Sequence, residues 1–212
     1  MRLPHLALAA IAALALLLPA AAGAAQTATV AAAGDRGPAK GWKSASGEKP
    51  GDRARAAQAE CEGADAAPSA GNLDAIRTSV LCLHNRIRAR AGLPLLRENV
   101  RLRSAALAHS QDMVANRFFE HTAPSGATFV DRIMRARYVR GNEGWSLGEN
   151  LAWGTGSYGT PQGVMDAWMN SPGHRRNVLR RSYREVGIGI VTGVPNGSSA
   201  GATYTMDFGV RR

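Results

Sequence analysis

Two imidazoles and one carboxylate stand out as groups able to do chemistry. His121 closes the run Phe118-Phe119-Glu120-His121. Glu149 lies in Gly148-Glu149-Asn150-Leu151-Ala152-Trp153-Gly154, and His174 in Ser171-Pro172-Gly173-His174-Arg175-Arg176-Asn177. Imidazoles near neutral pH move protons or ligate metals, and a carboxylate orients or deprotonates what it touches. Glu149 follows His121 by 28 residues and precedes His174 by 25, spacings that match no local metal or catalytic motif. Only a fold can bring the three together. Each stands at a junction between regular elements, where side chains can converge on a cleft.

The elements that must position them begin after an export signal. Residues 1–25 open with Met1-Arg2, run apolar from Leu6 to Leu18, break at Pro19 and end in small residues. That is the layout of a cleaved secretory signal, so the mature chain is expected to start near Gln26, outside the cytoplasm. No later segment is apolar enough to cross a membrane. Residues 26–60 are rich in Ala, Gly, Ser and basic residues without apolar periodicity, and read as a flexible tether. The two cysteines, Cys61 and Cys82, form the simplest disulfide available in an oxidising compartment.

Residues 61–212 suffice for one domain with its own core. Ile76, Val80, Leu83 and Ile87 recur at helical spacing behind Asn72, which can cap them. Leu102, Ala106, His109 and Met113 make a second stripe. Thr128 to Arg137 reads as a short helix. Thr160-Pro161 starts another, with Trp168 one turn after Val164 and Ser171-Pro172-Gly173 stopping it. Val186, Ile188 and Ile190 alternate with Gly187 and Gly189, and Tyr204, Met206 and Phe208 with Thr203, Thr205 and Asp207. Two half-buried strands joined as a hairpin through Asn196-Gly197 follow. Leu151 and Trp153 share a face with Glu149 in a further strand. The fold class is α+β, with helices on a small, mainly antiparallel sheet.

Four ordered runs then resemble the CAP superfamily of cysteine-rich secretory, antigen 5 and pathogenesis-related-one proteins, in its bacterial form. They are Phe119-Glu120-His121, Gly148 to Trp153, Trp168 to Asn177, and Arg184-Glu185-Val186-Gly187-Ile188-Gly189, within a similarity reaching from Asn72 to Arg212. The resemblance implies an α-β-α sandwich with a central cleft, which many eukaryotic members line with two histidines and two glutamates. His121, Glu149 and His174 match three of these. The fourth falls on Ser171, three residues after Trp168, which can hydrogen-bond but cannot neutralise a cation. The remaining three would still be a sensible Zn²⁺ set, with His121 and His174 as ligands and Glu149 as third ligand or general base.

Other residues read more plainly. His109 is expected to pack in the core, His84 to face solvent, Asn177 to hold a loop, and Gly187 and Gly189 to let a neighbour approach. The formal charge of +10 lies along the first helices as Arg86, Arg88, Arg90, Arg97, Arg101, Arg103, Arg117, Arg132, Arg135, Arg137 and Arg140. Such a basic surface is solvated, or attracts anionic wall polymers or lipid head groups. Nucleic acid is excluded as a partner of an exported chain lacking stacked aromatics or a recognition motif.

Two functions of different class follow. The first is a secreted binding module whose cleft of His121, Glu149, Ser171 and His174 holds a lipid, a cell-wall fragment or a protein partner. The second is a Zn²⁺-assisted hydrolase. No Ser or Cys sits in an elbow motif and no His-Glu-x-x-His helix exists, so binding leads.

Overall fold

A computed structural model describes residues 27–28, 48–49, 51–142 and 144–211. The expected signal sequence, residues 1–25, lies outside the described residues. Among the described residues, six α-helices and five strands follow one another along the chain. The helices are α1 (Asp52–Gln58), α2 (Leu73–Arg90), α3 (Val100–Ala115), α4 (Phe129–Arg135), α5 (Pro161–Asn170) and α6 (Pro172–Val178). The strands are β1 (Thr27–Ala28), β2 (Arg97–Glu98), β3 (Trp145–Gly154), β4 (Glu185–Thr192) and β5 (Ala202–Arg211). In the sheet they lie in the order β1-β3-β5-β4-β2. All neighbours pair antiparallel except β2 with β4. Part of the stretch expected to be a tether is thus helical: Arg90 of α2 donates to the Ala57 carbonyl of α1 at 3.0 Å.

Strand alternation divides the core into two layers. Val186, Ile188, Tyr204, Met206 and Phe208 face Ile76, Val80 and Leu83 of α2 together with Val164, Met165 and Trp168 of α5. On the opposite side Leu147 meets Leu102 and Ala105 of α3 and Phe129 and Ile133 of α4. The result is the α-β-α sandwich. Gly187 and Gly189 make the second layer close, since a Cβ at either would run into the α3 backbone at Leu102–Arg103 and Ala106–Leu107. Helix ends follow the sequence in part. Thr128 and Asp131 form a capping box on α4, and the Thr160 hydroxyl accepts from Gly163 N at 3.1 Å with Pro161 in the first turn of α5. Asn72 precedes α2 as expected, but its side chain bonds Ser69 N and the Ala67 carbonyl instead of the helix end.

Two expectations fail here for one reason. His84, expected on the surface, is fully buried, and so is Arg88 from the basic stripe. The buried face of α2 is wider than the stripe from Ile76 to Ile87, because α5 and the sheet both press on it. His84 sits edge-on to Trp168, ring centroids 5.5 Å apart, with Phe208 at 6.0 Å. Arg88 is satisfied by four carbonyls, those of Pro94, Val178, Arg180 and Tyr183, and so ties the end of α2 to the loop after α6.

Cys61 and Cys82 are joined, their Cα atoms 5.6 Å apart, which fastens the segment before α2 to its middle. Reduction should lower stability by ~3 kcal/mol in the chain-entropy model. Non-reducing peptide mapping, followed by denaturation with and without reductant, tests this. Quantitative alkylation of either cysteine without prior reduction would refute the bridge.

Candidate functional site

Glu149 lies in the middle of β3, on the face turned toward α3 and α4, and directly opposite Asp207 of β5. Neither carboxyl is exposed to solvent. His121, on the loop between α3 and α4, reaches it with Nδ1 2.8 Å from Glu149 Oε1. Because an ionised carboxylate only accepts, Nδ1 carries the proton in this pair, and the carboxylate fixes the ring's tautomer and direction. Arg132 of α4 donates Nη2 to Glu149 Oε2 at 2.6 Å, and its Nη1 to the carbonyls of His121 and Ala127 at 3.0 and 3.1 Å. One guanidinium therefore holds both the carboxylate and the loop that delivers the histidine.

The charges are unevenly divided. Burial pushes Glu149 upward, but the hydrogen bond from His121 and the charge of Arg132 outweigh it and hold the carboxyl below its ordinary range. Asp207 goes the other way: burial first, then the charge of Glu149, lift it well above the usual carboxylate range, and Arg132 offsets this only in part. The two facing carboxyls thus keep one proton between them, on Asp207. As an ion Asp207 would have nothing to bind, since neither of its oxygens has a donor among the described residues. Protonated, it can donate to Glu149.

His174 and Ser171 enter from the other layer. His174 of α6 is buried, and its carbonyl accepts from Asn150 Nδ2 at 3.2 Å. Asn177, one turn on, donates to the Glu149 carbonyl at 3.1 Å and to Asn150 Oδ1 at 2.8 Å. Asn177, expected to hold the loop and short helix together, instead clamps α6 to β3 with its side chain. Ser171 is the hinge between α5 and α6, with its N bonded to Trp168 O and its carbonyl to Arg175 N. The structure thus joins the side chains of His121 and Glu149 directly. It ties the His174 carbonyl to the side chain of Asn150, the residue after Glu149 in β3, and gives Ser171 no hydrogen bond to Glu149 among the described residues.

The donor set does not fit a divalent cation as arranged. Both Glu149 oxygens are engaged, one by a permanent cation, and Ser171 brings a hydroxyl and no negative charge. Among the described residues no group of three His, Cys, Asp or Glu side chains is disposed to hold a metal. Sequence reasoning missed Asp207 and Arg132 as members of the centre. For Arg132 a signal was there: it lies one turn after Phe129 and beside Ile133, on the buried face of α4. Asp207 had no local signal, because it alternates with Met206 and Phe208 like a residue of a polar strand face.

The family model of the CAP, cysteine-rich secretory protein, family matches residues 81–208. The chain belongs to that family. It is 33% identical over 142 residues to the uncharacterized protein YkwD of Bacillus subtilis (strain 168), and spans 67% of its own length but only 49% of that relative's. Among solved structures, an extracellular protein containing a SCP domain from Bacillus anthracis superposes with TM-score 0.52 at 29% identity, covering 66% of this chain and 43% of the other. An outer surface protein of Borrelia burgdorferi shares the fold alone, at TM-score 0.54 and 20% identity over 68% of this chain and 96% of that one. No helix among the described residues is long and apolar enough to cross a membrane.

Proposed function

We propose that the protein is an exported, non-catalytic binding module whose cleft beside His121, Glu149, Ser171 and His174 holds a lipid, a cell-wall fragment or a partner protein. One observation carries the reading: the carboxylate that a hydrolase would need as base or metal ligand is wholly buried and saturated by His121 and Arg132. Such a Glu149 builds and orients the cleft and attacks nothing. Export is supported by the charged-apolar-small order of residues 1–25 and by the disulfide. The description of the Bacillus anthracis relative as extracellular points the same way. Arg90, Arg97, Arg117, Arg135, Arg137 and Arg140 are exposed, a surface suited to concentrating anionic polymers or head groups.

Mass spectrometry of material extracted from the purified mature protein, together with a screen of ester, peptide and wall-polymer substrates, tests this. A retained ligand and no turnover are expected. Glu149→Gln should cost about 2 kcal/mol of stability, because Arg132 loses its counter-ion, yet leave no rate to lose. Reproducible wild-type turnover that a folded Glu149→Gln protein loses by ~10²-fold or more would make the protein an enzyme with Glu149 in its chemistry.

A further inference from the structure

Of the nine asparagines in the chain, one is followed by glycine: Asn196-Gly197, in the loop between β4 and β5. Every residue from Asn196 to Ala200 is exposed. Asn196 Oδ1 accepts from Ser198 N at 3.0 Å, an Asx turn that folds the side-chain amide back across the Gly197 peptide. Gly197 has φ +90° and no side chain to bar that approach. Against it lies Arg117, just beyond the end of α3: a Cβ added at Gly197 would meet Arg117 Cζ at 3.4 Å.

That arrangement favours one reaction. The main-chain nitrogen of Gly197, once hydroxide has taken its proton, attacks Asn196 Cγ. A bond forms between the two atoms, the bond from Cγ to Nδ2 breaks, and Nδ2 leaves as ammonia with a proton from water. A five-membered imide remains. Water then adds to either of the two imide carbonyls and opens the ring, giving aspartate at position 196 or an isoaspartyl link in which the main chain runs through Cγ. One water enters, one ammonia leaves, and nothing is oxidised or reduced. Two groups aid the attack. Ser198 N–H already points at Oδ1, the oxygen that gathers negative charge as Cγ turns tetrahedral. The Arg117 guanidinium stabilises the amide anion on which the attack depends. One contact opposes it: Gly197 N–H donates to the Val194 carbonyl at 3.0 Å and must first let go. That bond closes a turn beyond the ends of β4 and β5, in an exposed loop where local opening costs least.

We propose that Asn196 is a self-modifying site, at which the folded protein converts itself into aspartyl and isoaspartyl forms with water as the only other reactant, aided by Ser198 N–H and Arg117. The product carries a new carboxylate beside Arg117, one of the exposed arginines. An aged molecule then offers that guanidinium to its own loop and no longer to an external anion. The change stays local, because Gly193 N to the Gly201 carbonyl at 2.9 Å and Val194 N to the Ser198 carbonyl at 3.0 Å close the base of the loop. The site is independent of the cleft and stands whatever the cleft binds.

The test is incubation of the folded, purified protein in low-salt buffer at neutral and at mildly alkaline pH, followed by peptide mapping with mass spectrometry. Asn196→Asp protein supplies the standard for the aspartyl peptide, so a second product of the same mass is the isoaspartyl form. Conversion is expected at Asn196 well ahead of the other eight asparagines, and faster at the higher pH. Arg117→Gln should slow it about fivefold, the effect of a unit charge about 4 Å away in water. In about 1 M salt, where charges are screened within about 3 Å, that difference should close. Arg117→Lys, which keeps the charge, should react at about the wild-type rate. Arg117 is exposed, so neither variant disturbs the core. An Asn196 that stays intact while another asparagine converts, or a low-salt rate that Arg117→Gln leaves unchanged, would overturn the inference.

Discussion

Replacing Trp168 with alanine should lower stability by ~3–5 kcal/mol, a large part of what a domain of this size has to lose. The ring is wholly buried at the centre of the α2–α5 layer. Val164 and Met165 precede it on the same face of α5, and His84 meets it edge-on. Truncation removes that volume and also withdraws the indole Nε1–H from the Leu151 carbonyl, a buried bond of 3.0 Å that fastens α5 to β3. Trp168→Phe separates the two effects. It keeps most of the ring and loses only the donor, and should cost ~1–3 kcal/mol. Denaturant midpoints read both. A shift of less than a tenth of the wild-type midpoint in Trp168→Ala would show that the ring anchors nothing. Because α5 runs straight into α6 at Ser171, loosening Trp168 also loosens the seat of His174.

Trp168 was legible because its spacing from Val164 is that of one helical turn, and periodicity is what a single sequence states most clearly. The same signal placed the β4–β5 hairpin and α3. It failed where burial is wider than a stripe. His84 lies four residues after Val80 and Arg88 one turn further, so both belong to the flank of α2 that α5 covers, yet their polarity reads as exposure. Asp207 was hidden in a similar way. Alternation with Met206 and Phe208 assigned it to a polar face, and nothing local says that α3 lies on that face. The cue was indirect: Gly187 and Gly189, two residues apart in β4, admit a helix backbone against the row that contains Asp207. The Glu149 and His121 runs stood out, but what they do there depends on Arg132, whose role in tying loop to carboxylate exists only in three dimensions.

Acid should destabilise the protein steeply, and His84 should be the largest single contributor. Burial, the dominant cause, together with the charge of Arg88, drives its imidazole from 6.5 down to about 3 against a partial counter-effect from its bond to the Val80 carbonyl. The folded chain therefore keeps the ring neutral where the unfolded chain protonates it. Stability from this residue is complete above pH 6.5 and falls as pH drops toward 3. The slope is about 1.4 kcal/mol per pH unit, roughly 4–5 kcal/mol over the whole window. His109, also depressed by burial, adds a loss of the same sign. Asp207 works oppositely: its raised proton affinity favours the folded chain in acid and weighs against it as pH rises. The total curve mixes these groups, so the discriminating measurement is a difference. His84→Leu removes the titrating ring and keeps a similar volume between Trp168 and Phe208. The Val80 carbonyl retains its helical main-chain partner. At pH 7 the variant should lie within about 1–2 kcal/mol of the wild type, because removing a buried, unbonded Nε2 offsets the loss of ring stacking against Trp168 and Phe208. Between pH 7 and pH 4 its stability relative to wild type should then rise by roughly 3 kcal/mol. Urea unfolding at both values gives the answer, and parallel wild-type and His84→Leu profiles would mean that the acid sensitivity of this fold lies elsewhere.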